Sequence, residues 1–277
     1  MNFGYLIFVA AHPNIDYLKL AYAAALSIKN TQKGGYDQVA LVINDKSKVD
    51  ELKSPWVFDK VIEWKEQKFW DGRSWMDQLS PWDVTVCIDA DMLFLRDYSH
   101  WIDYFYENTD LYVVNNVYTY RNELVTNHAY RKAFVENNVP NLYSMWTFFK
   151  KDKHTDFFDL ARQIFIYPEK FKFFHMIKHV PKVIGTDESF GLAAKILDIQ
   201  DEIAFPLDFP KIVHMKPLIQ NWPWPAEKVT DHVGFYLTQD GSLKIGNFVQ
   251  QDLIHYVEKT IITDELVNIL EEIAWKK

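Results

Sequence analysis

The chain is poor in cysteine and contains no long hydrophobic run. Cys87 is the only cysteine among its 277 residues, so no disulfide bond can form within the chain. A chain without disulfide bonds is typical of a reducing compartment, and we expect a cytoplasmic protein. Its apolar runs are all shorter than the about 20 residues of a membrane-spanning helix, so we expect no integral membrane contact.

The chain also lacks excess positive charge. Its formal net charge is −8, which excludes an overall positive field that would attract nucleic acid or an anionic membrane. No glycine-rich phosphate loop follows the first predicted strand, which disfavours a nucleotidyltransferase. Internal repeats, low-complexity tracts and linkers are missing as well, so we expect a single domain.

Aromatic side chains, in contrast, are abundant. They make up 16% of the residues and include ten tryptophans. Aromatic rings stack on sugars and on bases, so this composition weakly favours a carbohydrate or nucleotide ligand. A large aromatic core accounts for most of the enrichment, and function has to be argued from particular positions.

The most informative stretch is residues 84–95. An apolar run rich in β-branched residues, typical of a buried strand, leads into Asp89-Ala90-Asp91 and is followed by further apolar residues. Carboxylates beside a core lose hydration that only a cation or hydrogen-bond donors can replace. Two of them at the end of a buried strand therefore indicate a hard divalent cation. The alternative is an Asp-x-Asp that merely caps a turn.

Apolar runs and helical patterns alternate along the first part of the chain. Strands are predicted at residues 3–10, 39–43, 60–63 and 84–88, with a helix over residues 17–28. This alternation predicts an α/β fold with a mainly parallel central sheet and helices on both faces. Ligands of such sheets bind beyond the carboxyl ends of the strands, which is where Asp89 and Asp91 fall.

Five segments occur in an order that resembles one enzyme family. They are residues 8–28, Arg73, Asp89-Ala90-Asp91, Thr186-Asp187-Glu188, and Val213-His214-Met215-Lys216-Pro217. In this order they resemble the GT-A nucleotide-sugar glycosyltransferases, most closely family 8, the glycogenin and galactosyltransferase-like group. The resemblance covers roughly the first 225 residues of the chain. It implies a Rossmann-like GT-A domain with a nucleotide-binding half (1–115) and an acceptor or sugar half (116–225). The pattern of residues 226–277 predicts a hairpin (Phe235-Tyr236-Leu237, a turn at Asp240-Gly241, and Lys244-Ile245) and a final helix after Thr263, so we expect one domain over 1–277.

The resemblance also implies an activity and a set of site residues. The activity is transfer of a hexosyl or pentosyl group from a nucleoside diphosphate donor, UDP-linked, to a hydroxyl acceptor with retention of configuration. The cofactor is Mn²⁺ or Mg²⁺. The implied metal ligands are Asp89, Asp91 and His214. The implied nucleotide-binding residues are Val9, Ala10, His12, Tyr17, Asp89 and Lys216, and the implied catalytic residues near the donor sugar are Arg73, Asp187 and Glu188.

Other interpretations of the same residues stay open. His214 is also explained as a core histidine, and Asp187 and Glu188 are also expected at a helix start because of the helix dipole. Ser144-Met145-Trp146 stands where the family carries Asn-Ser-Gly. Haloacid-dehalogenase-type phosphatases also end a strand in Asp-x-Asp, and a non-catalytic nucleotide- or glycan-binding module is a further alternative.

The acceptor is not identified by the sequence. A glycan or a protein is favoured, and a metabolite is also compatible. Small phage-encoded GT-A enzymes glycosylate a modified cytosine in DNA, and this compact chain is compatible with such a member. The net negative charge opposes DNA binding unless a local basic groove forms. The candidates for that groove are Arg121, His128, Arg131 and Lys132, or Lys150, Lys151 and Lys153.

Overall fold

The computed structural model describes residues 1–9, 12–65, 72–126, 129–205, 209–216, 233–238, 242–256 and 258–276. The strands are β1 (Phe3–Val9), β2 (Val39–Ile43), β3 (Lys60–Glu63), β4 (Val84–Ile88), β5 (Met92–Leu93), β6 (Leu111–Val114), β7 (Tyr143–Lys150), β8 (Ile212–His214), β9 (Phe235–Leu237), β10 (Leu243–Ile245), β11 (Phe248–Gln250) and β12 (Leu253–His255). The α-helices are α1 (Tyr17–Thr31), α2 (Met76–Leu79), α3 (Ser99–Asn108), α4 (Lys132–Val135), α5 (Thr155–Ile166), α6 (Pro168–His175), α7 (Thr186–Leu197), α8 (Gln200–Ile203) and α9 (Asp264–Trp275).

Six strands form the central sheet, in the order β3-β2-β1-β4-β7-β6. Strands β1 to β4 are parallel, β7 is antiparallel to β4, and β6 is antiparallel to β7. The predicted mainly parallel sheet is therefore confirmed. The antiparallel strand β7 begins two residues before the apolar run at residues 145–149 and ends one residue after it.

Both faces of the sheet are buried along β1, β2 and β4, which is why these strands are almost continuously apolar, whereas both ends of the edge strand β3 are exposed. In β1, Tyr5, Ile7 and Val9 belong to one hydrophobic cluster, whereas Leu6 belongs to the other. Because side chains alternate across a strand, each face of the sheet receives every second residue. Helices α1, α3 and α9 pack on the first face, and α5 and α7 pack on the second.

Helix α1 begins where the sequence pattern predicts. The Asp16 carboxylate accepts a hydrogen bond from the Lys19 N–H at 2.9 Å, which satisfies a backbone donor of the first turn. The helix then runs through a buried stretch of small and apolar residues and packs against α9. A buried hydrogen bond of 2.6 Å from the Tyr22 hydroxyl to the Glu271 carboxylate joins the two helices.

A second, three-stranded sheet brings the C-terminal region to the end of β4. Strand β12 lies between β5 and β8, antiparallel to the first and parallel to the second. In this register His255 lies beside Met92 on one side and His214 on the other. The sheet therefore holds His255 directly beside the segment that follows Asp91.

The C-terminal hairpin forms in part as predicted. Strands β9 and β10 pair antiparallel, with Leu243 opposite Leu237 and Ile245 opposite Phe235, and β11 extends them to a third sheet, which also has three strands. The predicted turn residues Asp240 and Gly241 lie outside the described residues. A search of the described helices finds none with the length and apolar character needed to cross a membrane.

Ser27 ties α1 to the segment after Asp91, and we predict that its loss destabilises the fold. Its hydroxyl accepts a hydrogen bond from the Phe94 N–H at 3.0 Å and donates to the Ala24 carbonyl at 2.7 Å, in the core. The substitution Ser27→Ala leaves a buried N–H without its acceptor, so the free energy of unfolding in urea should fall by about 1–3 kcal/mol.

The control is Thr31→Ala. The lost hydroxyl accepts from the Gln32 side-chain amide at 2.8 Å, and that amide keeps a second bond to the Arg96 carbonyl. The hydroxyl also donates to the Ser27 carbonyl at 2.7 Å. That carbonyl keeps its place in the helix, so we expect a loss below about 1 kcal/mol. Equal losses in the two variants would contradict the assignment of Ser27 as the link between the two segments.

Candidate active site

A cavity of about 710 Å³ opens at the carboxyl ends of β1 and β4. Eight of the residues that the sequence nominates line it, namely Tyr17, Arg73, Asp89, Asp91, Asp187, Glu188, His214 and Lys216. The cavity lining does not include Val9, which is buried in the core, or His12. The Nδ1 atom of His12 accepts a hydrogen bond from the Asn14 N–H at 3.1 Å, which shapes the turn after β1. Ala10 lies outside the described residues.

Three side chains form a group whose geometry suits a metal ion. One ligand atom from each of Asp89, Asp91 and His255 lies within 4.8 Å of the others. The His255 Nε2 atom lies 3.2 Å from Asp91 Oδ2 and 3.5 Å from Asp89 Oδ2. Carboxylate oxygen and imidazole nitrogen together suit Mn²⁺, so the donor set fits a divalent cation of this kind.

The histidine of this group is His255, which neither the residue pattern nor the family resemblance predicts as a ligand. His214, the predicted ligand, lies next to it: the two rings are nearly parallel, and their Nδ1 atoms are 2.9 Å apart. Burial and the neighbouring His255 lower the pKa of His214 well below its ordinary value, so this ring is neutral. A neutral His214 can accept the Nδ1 proton of His255. Burial would lower the pKa of His255, but Asp91 and Asp89 raise it, so its Nε2–H faces the carboxylates, and a bound cation would take the place of that proton.

Each carboxylate of the pair also contacts a cation. Arg73 bonds to Asp89, and Lys259 bonds to Asp91. Burial would raise the pKa of Asp91, but His255 and Lys259 together lower it below its ordinary value. Burial raises the pKa of Asp89, because the attraction of Arg73 only partly offsets the loss of hydration. The two carboxylates therefore need positive charge beside them, and Lys259 supplies it at Asp91.

Asp187 lies at the start of α7 and is held by donors from two other segments. Its Oδ2 accepts from Arg131 at 2.6 Å, and its Oδ1 accepts from both the backbone N–H (2.9 Å) and the hydroxyl (2.6 Å) of Ser144. Burial opposes ionisation, but Arg131 and Arg73 lower the pKa of Asp187 below its ordinary value. The carboxylate is thus ionised and fixed in position.

Arg131 occupies a different environment from the exposed basic groove that the sequence suggests. Its side chain is 8% exposed and packs between Phe134 and Tyr143, at 3.7 and 4.4 Å from the ring centroids. The groove hypothesis is wrong for this residue, because its charge is paired with Asp187 inside the fold. Lys150 also pairs with an acidic residue, Asp110, at 2.8 Å. His128 lies outside the described residues.

Glu188 and Lys216 complete the polar lining. The Glu188 carboxylate accepts from the Gly185 N–H at 3.0 Å, which caps the start of α7. Burial and the adjacent Asp187 raise the pKa of Glu188. Burial, followed by the repulsion of Arg131, lowers the pKa of Lys216, whose ammonium lies 5.5 Å from the centre of the Tyr130 ring. Both groups are therefore shifted toward their neutral forms.

Several solved structures of glycosyltransferases have a fold similar to that of this chain. The chain aligns with mouse xyloside xylosyltransferase 1 at a TM-score of 0.55 and 12% identity, over 94% of this chain and 99% of that one. It aligns with the glycosyltransferase GlyE of Streptococcus pneumoniae TIGR4 (TM-score 0.54, 10% identity) over 98% of this chain and 59% of that one. It aligns with the bifunctional glycosyltransferase WbbM (TM-score 0.55, 12% identity) over 99% of this chain and 49% of that one.

The predicted GT-A fold is confirmed. These identities establish shared architecture alone, and the assignment to family 8 or to a phage-type member stays a prediction. No family model matches the chain, and no curated protein sequence matches it either. Function has to be argued from the site itself.

The ion pair of Asp187 predicts a specific dependence of stability on pH. The folded-state pKa of Asp187 lies below the unfolded value of about 3.9, so the pair stabilises the fold above that pH and its contribution declines as the pH falls further. The substitution Asp187→Asn leaves Arg131 buried without its counter-ion, so it should lower the unfolding free energy at pH 7 by about 2–4 kcal/mol. Urea denaturation at pH 7 and pH 3 measures the difference, which should be smaller at pH 3.

The matched control is Asp110→Asn, because Asp110 pairs with Lys150 at a more exposed position. It should change the unfolding free energy by less than about 1 kcal/mol at either pH. If Asp187→Asn destabilises equally at both pH values, the carboxylate does not act through its charge.

Two histidine substitutions separate the metal ligand from its neighbour. Because His255 contacts both carboxylates, His255→Ala should weaken Mn²⁺ binding by about a hundredfold or more. His214→Ala removes only a supporting hydrogen bond, so the loss should be about tenfold. Titration calorimetry and the electron paramagnetic resonance spectrum of bound Mn²⁺ measure these affinities. The reverse order would establish His214 as the ligand.

Proposed function

We propose that this chain is a metal-dependent glycosyltransferase that moves a sugar from a nucleoside diphosphate to a hydroxyl acceptor. The observation that carries the proposal is the group of Asp89, Asp91 and His255. The three side chains lie together at the end of β4, in a cavity that several basic side chains also line. The shared architecture with glycosyltransferases supports it. Neither feature alone is sufficient, since a fold hosts many functions and acidic groups occur without metals.

Asp89, Asp91 and His255 are the residues that would hold Mn²⁺ or Mg²⁺. When bound, a divalent ion would stabilise the negative charge that develops on the departing diphosphate. His214 orients His255 through the contact between their Nδ1 atoms. Lys259 bonds to Asp91 and lines the same cavity, so a cation held by Asp91 would displace its ammonium and make it available to the diphosphate.

The remaining cations lie where they can bind the donor. Arg73 and Lys216 line the same cavity as the carboxylates. Arg73 presents a planar fork suited to phosphate oxygens, whereas Lys216 supplies a compact charge. In the reaction, the bond between the sugar anomeric carbon and the diphosphate oxygen breaks, and a bond forms to the acceptor oxygen, which loses its proton. Positive charge beside the diphosphate favours the first of these events.

Asp187 and Glu188 are proposed to face the donor sugar from the start of α7. Asp187 is fixed and ionised by Arg131 and Ser144, so it suits hydrogen bonding to sugar hydroxyls. Glu188 has a raised pKa and is the group better suited to exchange a proton. Retention of configuration and a UDP-linked donor rest on the resemblance to family 8. A cytoplasmic location rests on the single, buried Cys87.

The decisive experiment measures release of free nucleotide from a panel of UDP-sugars, with and without Mn²⁺. We expect hydrolysis of at least one donor in the presence of the metal only. The substitution Asp91→Asn removes a ligand carboxylate and should reduce this hydrolysis by about a hundredfold or more, because stabilisation of the leaving group is worth several kcal/mol.

Asp110→Asn serves as the control, since Asp110 lies at the start of β6 and pairs with Lys150. It should retain the wild-type rate. Full activity of Asp91→Asn would remove the proposed metal site. Thermal stabilisation by UDP and Mn²⁺ without turnover of any donor would favour a binding module instead.

A further inference from the structure

The segment around α6 exposes an unusual number of large apolar side chains. The exposed fraction is 81% for Phe173, 74% for Phe174, 85% for Ile177 and 69% for Val183. Val180 is 42% exposed and lies between them in sequence. We call these five residues, with Lys170, Lys178 and Lys182, the α6 patch. A patch of exposed apolar side chains of this size is typical of a surface that binds a protein or a membrane.

The backbone that carries the α6 patch is anchored. Met176 is 3% exposed and packs in the core between the exposed phenylalanines and Ile177. The Asn137 side chain accepts hydrogen bonds from the N–H groups of Ile177 (2.7 Å) and Lys178 (2.9 Å) and donates to the Lys178 carbonyl at 2.6 Å. The apolar side chains of α6 and of the loop that follows it therefore point outward from an anchored backbone.

Lys172 gives this segment a second anchor. Its buried ammonium donates to the Lys182 carbonyl at 3.0 Å and to the Glu169 carboxylate at 3.1 Å. The end of the loop is thereby fastened to the middle of α6. Lys172 is occupied inside the fold, which leaves Lys170, Lys178 and Lys182 as the exposed lysines of the α6 patch.

The charge of the segment is opposite to that of the chain. Residues 166–183 contain four lysines and one acidic residue, Glu169, whereas the whole chain has a net charge of −8. Of the two histidines in the segment, His179 contacts the Glu136 carboxylate at 3.1 Å, and burial lowers the pKa of His175. The local excess of positive charge follows from the four lysines against the single acidic residue.

We propose that the α6 patch docks this protein on the surface of an anionic lipid membrane. Aromatic and aliphatic side chains beside lysines match the boundary between acyl chains and anionic headgroups. A nucleic acid would suit this patch less well, because it binds through stacked bases and phosphates. Aliphatic side chains such as Ile177 and Val183 make neither kind of contact. A symmetric contact with a second copy would bring like-charged lysines together.

The α6 patch is continuous with the candidate active site. Val183 belongs to the patch and also lines the cavity, and the chain then runs directly into α7 with Asp187 and Glu188. Docking therefore places the mouth of the cavity at the level of the headgroups. If the proposed glycosyl transfer holds, on which this step rests, the acceptor hydroxyl belongs to a molecule at the lipid surface.

The test is co-sedimentation of the full chain with vesicles of phosphatidylcholine alone, or of phosphatidylcholine and phosphatidylglycerol in equal parts. Wild type should bind the anionic vesicles and dissociate as salt is raised. Phe173→Ser with Phe174→Ser should lower the partition coefficient by about tenfold or more. Replacing Lys170, Lys178 and Lys182 by Gln should abolish the preference for anionic vesicles, since each lysine near the surface contributes roughly fivefold.

The matched control is Tyr236→Ser with Val249→Ser, two exposed apolar side chains of the β9–β11 sheet, which should bind as wild type does. Wild type that sediments equally with and without anionic vesicles overturns the proposal. So does a wild-type dimer, seen by light scattering, that becomes a monomer in the phenylalanine variant, because the occupant is then a second copy. Hydrolysis of a soluble donor without vesicles should be unchanged in every patch variant, which keeps this test separate from that of the proposed function.

Discussion

The balance of buried charge at the carboxyl end of β4 is the constraint on which the rest of the site depends. Asp89, Asp91 and Asp187 all line one cavity, and three carboxylates cannot lose water there without cations beside them. Three basic side chains supply this positive charge, those of Arg73, Lys259 and Arg131. They come from different parts of the chain, since residue 73 precedes β4, residue 131 lies between β6 and β7, and residue 259 follows β12. Folding around the acidic cavity therefore requires these three segments to converge.

The sheet and the two carboxylates can be predicted from the sequence because the patterns that indicate them are local. An apolar strand buried on both faces is continuous in the sequence, and Asp89 interrupts it at the point where the strand ends. His255 and Lys259 escape prediction for the opposite reason. Strand β12 has only three residues, and its position beside Asp91 depends on pairing with β5 and β8, which lie far away along the chain. Its one usable signal is a short apolar run that ends in a histidine.

The start of α7 shows how two interpretations of one motif can both hold. Acidic residues at a helix start are expected from the dipole, and Glu188 behaves in this way by accepting from the Gly185 N–H. Asp187, one residue earlier, instead turns to Arg131 and Ser144. Adjacent residues point in different directions on a helix, so the sequence pattern alone cannot assign a role to each. The departure at residue 144 supplies a hydroxyl that the site uses.

Net charge and local charge have separate consequences in this molecule. An overall charge of −8 repels an anionic surface at long range, so contact is favourable only where lysines are concentrated and apolar side chains can insert. The α6 patch is such a place, and Val183 joins it to the cavity. Repulsion elsewhere then restricts the protein to one orientation on the membrane. A single fixed orientation is what an active site needs when its acceptor cannot leave the surface.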